Sequence, residues 1–316
     1  MLGAFAVLAA CALGVQCPLL LGPRLPEAPD CPLMPVDSYW HVNVQSLSVH
    51  PRSDAWVASI GASEPVHPDF GSGLWQGGPI GIPYTTADNE TPVVAVSFRY
   101  DDESDPGPYP IPEDPPIEGG PDATGDRHVL VVDRDACLLY ELFDAHPESD
   151  GSWSAGSGAI FDLLGYDLRP ERWTSADAAG LPILPGLVRY EEVASGIVAH
   201  AIRFTAPRTQ RAYLWPARHF ASSSTDPDLP PMGAWFRLKS SVDPADFSAQ
   251  TRPIVEALQR HGMILADNGS PWFLSGVPDP RWDNDILREL RTLRGADFEA
   301  VDTSGLPIDP DSVQIR

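Results

Sequence analysis

Apolar residues fall along this chain in short runs, most alternating with polar neighbours, and a period of two is the signature of half-buried strands rather than helices. Ile80–Thr86 and Val93–Tyr100 are two such runs, the second alternating cleanly through Val94, Val96 and Phe98. Val42, Val44 and Leu47 predict another short strand, and Ser53-Asp54-Ala55-Trp56 opens a short helix that ends near Gly61. The clearest local pattern is His128–Asp133 followed by Ala136–Phe143, two strands around a two-residue turn at Arg134-Asp135. In that register Val132 opposes Cys137, Leu130 opposes Leu139 and His128 opposes Glu141, all on one face. Residues 152–163, Val198–Phe204, Tyr213–Trp215, Trp235–Leu238 and Met263–Ala266 continue the β series. Helical spacing is convincing only over Phe247–Arg260, where Ile254, Val255 and Leu258 share a face; shorter helices are predicted over 187–195, closed by Gly196, and over Asp285–Leu293.

Strands outnumber helices and no βαβ alternation or internal repeat occurs, so the expected fold is β-rich α+β. Its sheets are expected to be antiparallel and sandwich-like, with one main amphipathic helix at 247–260. One domain over 37–305 is expected, with a Pro-rich linker at 22–36 before it and a tail at 306–316 after it. At the front, Leu2–Leu21 is the one long apolar run and contains Leu8-Ala9-Ala10-Cys11, which reads as a signal segment with a lipidation box at Cys11. No Lys or Arg precedes it, and a short membrane anchor is the alternative.

Charge removes several function classes. The chain has 21 basic and 44 acidic residues, a net of -23, and such a surface repels nucleic-acid phosphates and anionic lipid headgroups. Beyond the leading segment only Cys31 and Cys137 remain, without CxxC or Cys/His metal spacing, which points to a disulfide in an oxidising compartment and an exported protein, secreted or lipid-anchored, with two unrelated buried thiols as the alternative. Phosphate-binding loops, His-Glu-x-x-His and the Gly-x-Ser-x-Gly elbow are all missing.

The candidate site residues are few. His128 with Glu141 would place an imidazole and a carboxylate at one end of an apolar face, suited to acid–base work; the plain alternative is a structural pair. His200, among Val198, Ile202 and Phe204, lines a cavity or bonds a core partner. Asp267 and Asn268 end a buried strand with Trp272 just beyond, an arrangement suited to sugar hydroxyls and a sugar face, or else a simple turn whose Trp272 belongs to the core. His67, Asp69 and Trp75 lie in a Gly-rich loop that offers further binding groups. Between Asp101 and Asp122 eight carboxylates and seven prolines exclude helix and central strand. Asp101, Asp102, Glu103 and Asp105 there offer oxygens to Ca²⁺, although the spacing is not that of an EF-hand and a solvated loop is the favoured reading.

Tyr109-Pro-Ile-Pro112 with Pro116-Ile-Glu-Gly-Gly120, Gly125-Asp-Arg-His-Val-Leu-Val-Val-Asp133, Ala179–Leu187 and Leu265-Ala-Asp-Asn-Gly-Ser-Pro-Trp272 together resemble a family of exported bacterial proteins, many from soil organisms, that carries no assigned activity. The resemblance spans roughly residues 31–305. It implies an exported single unit with its two body cysteines bridged, and it transfers no catalytic residue. With nine tryptophans and abundant carboxyls, the leading functional expectation is a hydrolase or lyase acting on an extracellular polysaccharide through His128, Glu141, His200 and Asp267. A non-catalytic carbohydrate-binding module is the second expectation, and a metal-dependent protein centred on His67, His128 and His200 the third.

Overall fold

Residues 22–316 are described in a computed structural model; Leu2–Leu21 and Cys11 lie outside the described residues. Ten strands carry the two larger sheets: β1 (His67–Asp69), β2 (Tyr84–Ala87), β3 (Val129–Asp133), β4 (Leu138–Phe143), β5 (Ser157–Asp162), β6 (Ile202–Ala206), β7 (Trp235–Leu238), β8 (Met263–Asn268), β9 (Phe273–Ser275) and β10 (Phe298–Ala300). The six-stranded sheet runs β10-β7-β8-β6-β9-β1, and the four-stranded sheet runs β5-β4-β3-β2. Most pairs are antiparallel, but β6 and β8 are parallel at the centre of the larger sheet, as are β1 with β9 and β2 with β3. The fold is therefore β-rich α+β.

Central strands are apolar on both faces because both faces are covered. Met263, Ile264, Leu265 and Ala266 are all buried, and Phe204, Phe236, Trp272 and Phe298 stack across the larger sheet. In β3, Leu130 and Val132 enter this main core, while Val129 and Val131 face a second, smaller core with Tyr109, Ile117 and Trp153. The main helix, α3 (Arg252–Arg260), buries Ile254, Val255, Ala257 and Leu258. It starts later than its periodicity suggests because Pro244–Asp246 forms a separate 3-10 turn. Gly262 returns the chain into β8 at φ +69, with a Cβ position only 2.4 Å from the Phe236 carbonyl, so only glycine fits. Two shorter α-helices precede α3, namely α1 (Ser53–Ile60) and α2 (Tyr190–Ser195), the second closed by Gly196 in the left-handed conformation.

Several local expectations change. The β3–β4 turn has four residues, not two: Asp133 Oδ1 accepts from the backbone of Asp135 and Ala136, and Asp133 pairs with Leu138. The register moves by two, so Val132 opposes Leu139 and Leu130 opposes Glu141, and His128 does not pair with Glu141. An even shift leaves the inward set inward. Val42–Leu47 forms no strand but follows a 3-10 turn at Tyr39–His41. The Pro-rich segment 22–36 is not a free linker: Arg24–Leu25 pairs with Ala28–Pro32, and Leu25, Ala28 and Leu33 are buried. The segment is held by the Cys31–Cys137 disulfide, which closes a separation of 106 residues and on the chain-entropy account stabilises by about 4–5 kcal/mol. Nor is 306–316 a loose tail, since Val313 is buried and its carbonyl accepts from the Tyr39 amide. Among the described residues no helix is long and apolar enough to cross a membrane.

Candidate functional site

Alternation along β6 sends Ile202 and Phe204 into the aromatic core and Arg203 to the other face. Regular pairing with β8 would send Asp267 toward the Phe204 side. Between Phe204 and Thr205 the register slips, so Phe204 faces Leu265 but Thr205 faces Asp267, leaving Ala266 as the extra residue of a bulge. The bulge turns Asp267 onto the Arg203 face. There the Arg203 guanidinium joins three neighbours: Nε donates to Asp177 at 2.8 Å, Nη1 to Ser275 Oγ at 2.7 Å and Nη2 to Asp267 at 3.3 Å. Asp177 is fully buried and Asp267 is 22% exposed. Burial, then the Asp177 charge, pushes the Asp267 carboxyl up to about 7 against the pull of Arg203. Burial likewise raises the Asp177 carboxyl.

One residue before Asp177, the Ala176 carbonyl meets His128 Nε2 at 3.0 Å, and His128 Nδ1 meets Glu118 at 2.6 Å. A carbonyl and a carboxylate both only accept, so both ring nitrogens donate and the ring is an imidazolium. Burial works against that charge, but Glu118 outweighs it and carries the His128 pKa up to about 9. Glu118 is held by its loop as well, since its amide donates to the His128 carbonyl. Against the same loop packs a small hairpin, Leu74–Trp75 with Gly78–Pro79, so closely that a Cβ on Gly78 would sit 1.9 Å from the Gly119 carbonyl carbon. Its turn, Gln76-Gly77, has φ of +51 and +95, the mirror-image turn that suits a two-residue hairpin. The hairpin presents Leu74 and Trp75 to solvent, 71% and 70% exposed.

Two cavities open over these groups. One of 840 Å³ is lined by His67, Asp69, Trp75, Glu118 and Asp126, and one of 360 Å³ by Tyr100, Glu103, Asp126, His219, Asp267 and Asn268. Asp126 lines both, so the two adjoin above the His128–Glu118 pair. Among the described residues, the group able to surround a metal ion is Glu118, Asp126 and His128, with ligand atoms within 4.8 Å of one another. The group fits a metal poorly, because His128 has no free nitrogen lone pair to give. In the 101–105 loop two of the four carboxylates that could offer oxygens to Ca²⁺ are already engaged. Asp105 there is bound to Arg169 and the Ile160 amide, and Glu103 to the Thr174 amide.

Of the residues singled out from sequence, His67, Asp69 and Trp75 share the larger cavity, Asp267 and Asn268 share the smaller, and His128 underlies both. Asn268 is partly committed, accepting from Thr209 and donating to the Ala221 carbonyl. Glu141 does not join them. It faces the core and accepts from the Ile183 and Leu184 amides at 2.8–2.9 Å, and burial raises its pKa to about 7. His200 lies elsewhere, bonded to Glu192 and the Ala201 carbonyl, so His67, His128 and His200 do not form a metal centre. Trp272 is not a sugar platform: it is fully buried in the aromatic stack, with Nε1 donating to the Gly61 carbonyl. Sequence reasoning missed Arg203, Asp177, Glu118, Asp126 and His219. Asp126 and Glu118 lie inside strings that stood out, but nothing local marks them as facing a cavity.

Compared with protein-family models, curated proteins and solved structures, the chain finds no match.

Proposed function

We propose that the protein is an exported enzyme that hydrolyses glycosidic bonds in an extracellular polysaccharide. The observation that carries this reading is the pair Asp267 and Asp126 on one 360 Å³ cavity, one carboxyl held against Arg203 and Asp177, the other open to solvent. Two carboxyls in unlike surroundings divide acid and base work between them. Asp267 keeps its proton near neutral pH and delivers it to the glycosidic oxygen. Asp126 is the second carboxylate, acting on water or on the sugar carbon. Arg203 is a positioning residue, fixing the Asp267 carboxyl through the bond described above. The exposed Trp75, in the lining of the adjoining 840 Å³ cavity, supplies an apolar ring face for a sugar. The disulfide supports the exported setting.

Incubation of the purified protein with a broad polysaccharide panel, followed by mass spectrometry of released oligosaccharides, tests the reading. Fragments carrying one added water are expected, with activity falling as pH rises past about 7 and Asp267 loses its proton. Unsaturated ends would replace hydrolysis by elimination. Binding without any release would overturn the enzyme in favour of a carbohydrate-binding module, which the exposed Trp75 also suits.

A further inference from the structure

The 840 Å³ cavity is electrically two-sided. Asp69 and, from the loop before β3, Glu118, Asp122 and Asp126 line it with carboxylates, and Arg288 and Arg291 line it from a separate helical turn. Both arginines belong to the 3-10 helix Arg288–Thr292, where residues three apart eclipse one another, so the two side chains leave the backbone on the same face with their Cα atoms about 6 Å apart along the axis. In a chain with 44 acidic residues, arginines find carboxylates easily, and the buried Arg203, Arg189 and Arg169 all do. Arg291 has no hydrogen-bond or ion-pair partner among the described residues, and Arg288 touches only the highly exposed Asp285. Beside them His67 stacks on Phe273 with ring centroids 4.1 Å apart, and both rings line the cavity. The cavity therefore offers one uncommitted guanidinium, Arg291, and a second, Arg288, engaged only by an exposed carboxylate, in a lining that also holds the His67–Phe273 stack, Trp75 and several carboxylates.

Resting on the hydrolase reading, we infer that the substrate is a largely neutral glycan bearing isolated uronate residues, with the uronate carboxylate held by Arg288 and Arg291. Guanidinium groups match a carboxylate in fork geometry, whereas neutral sugars would bond only to their edges. A uniformly charged polyuronate fits less well, because its other carboxylates would lie against Glu118, Asp122 and Asp126 in a protein of net charge -23. Neutral units over that stretch accept no such repulsion, and their hydroxyls donate to the acidic side chains.

The test is binding, measured by calorimetry on the full chain, with matched oligosaccharide pairs from xylan, mannan and glucan series that differ only by one uronate. At least one pair should show about 10- to 100-fold tighter binding of the uronate form, the range of charge-assisted hydrogen bonds. The preference should shrink with added salt and vanish in the Arg288→Gln/Arg291→Gln variant, read as the ratio of the two affinities within each pair. Absence of a preference in every pair, persistence of the preference in the double variant, or tighter binding of a sulfated or polyuronate counterpart would overturn the assignment. Uronate-selective binding without product release would instead overturn only the hydrolase, and cleavage of neutral glycans without uronate preference only the present inference.

Discussion

Two histidine–glutamate pairs with the same chemistry sit in different parts of this molecule. His128 bonds Glu118 at 2.6 Å and a backbone carbonyl through its other nitrogen; His200 bonds Glu192 at 3.1 Å and likewise a carbonyl. Both rings are fully buried. The difference lies in the carboxylates. Glu192, 12% exposed, has one oxygen on His200 and the other on Arg189, and these cations hold its pKa down to about 2 in spite of burial. Glu118, 26% exposed, bonds only through Oε2, and it lines the larger cavity. A residue pairing is thus not itself a sign of function, nor is a cavity beside it, since Glu192 lines one of 640 Å³: what separates Glu118 from Glu192 is an uncommitted oxygen.

The largest expected effect lies on the cleft side. Asp267→Asn should lower kcat by about 10²- to 10⁴-fold, the usual worth of a general acid, with the thermal midpoint little changed. Loss of folding rather than of turnover, read by circular dichroism, would make Asp267 a structural group like Glu192. On the other side, Glu192→Ala strands the buried Arg189 and His200 and should cost about 3–5 kcal/mol in urea unfolding. A cost below about 1 kcal/mol would erase the contrast.

The two regions should also answer pH in opposite directions. The raised pKa of His128 means that the folded state holds a proton the unfolded chain releases. Its contribution, about 3 kcal/mol for a rise to about 9, is complete below pH 6.5 and lost as pH climbs to 9. Near Glu192, His261 is depressed to about 4 by burial, so a penalty of similar size, about 3 kcal/mol, grows as pH falls from 6.5 to 4. Unfolding midpoints across pH should therefore lose their alkaline limb in Glu118→Gln and their acid limb in His261→Asn, and a swap of these limbs would contradict the assignment. Smallest of all, Trp75→Ala should weaken glycan binding by about 1 kcal/mol, read as a several-fold rise in KM with kcat unchanged.

How much of this was legible beforehand differs from element to element. The amphipathic face of α3, the doubly apolar β3 and the end of β8 at Asp267 are carried by local periodicity, and local periodicity survives folding. The turn after β3 departs from its local pattern because the Asp133 side chain caps two backbone amides and widens the turn from two residues to four. For Trp272 a sugar-facing ring and a core ring are equally open in the sequence because its neighbours Asp267-Asn268-Gly269-Ser270 are polar, and three phenylalanines from distant strands enclose it. His128 was matched with the wrong glutamate for the same reason: its true partner, Glu118, sits in a proline-rich loop with no period to place it.

By itself the sequence determined the β-rich class, the main helix, the bridged Cys31–Cys137 pair and the presence of a carboxylate at the end of a buried strand. The class, the helix and the carboxylate follow from residue type and short-range spacing, which act within a few residues along the backbone, whereas the bridge follows from there being a single pairing open to the two body cysteines. Tertiary structure alone decided that one extra residue in β8 turns Asp267 toward Arg203, that Asp126 overlooks the same cavity, and that Glu118 rather than Glu141 meets His128. These depend on register and on loops closing over long separations, where a shift of one residue reverses the facing of a side chain.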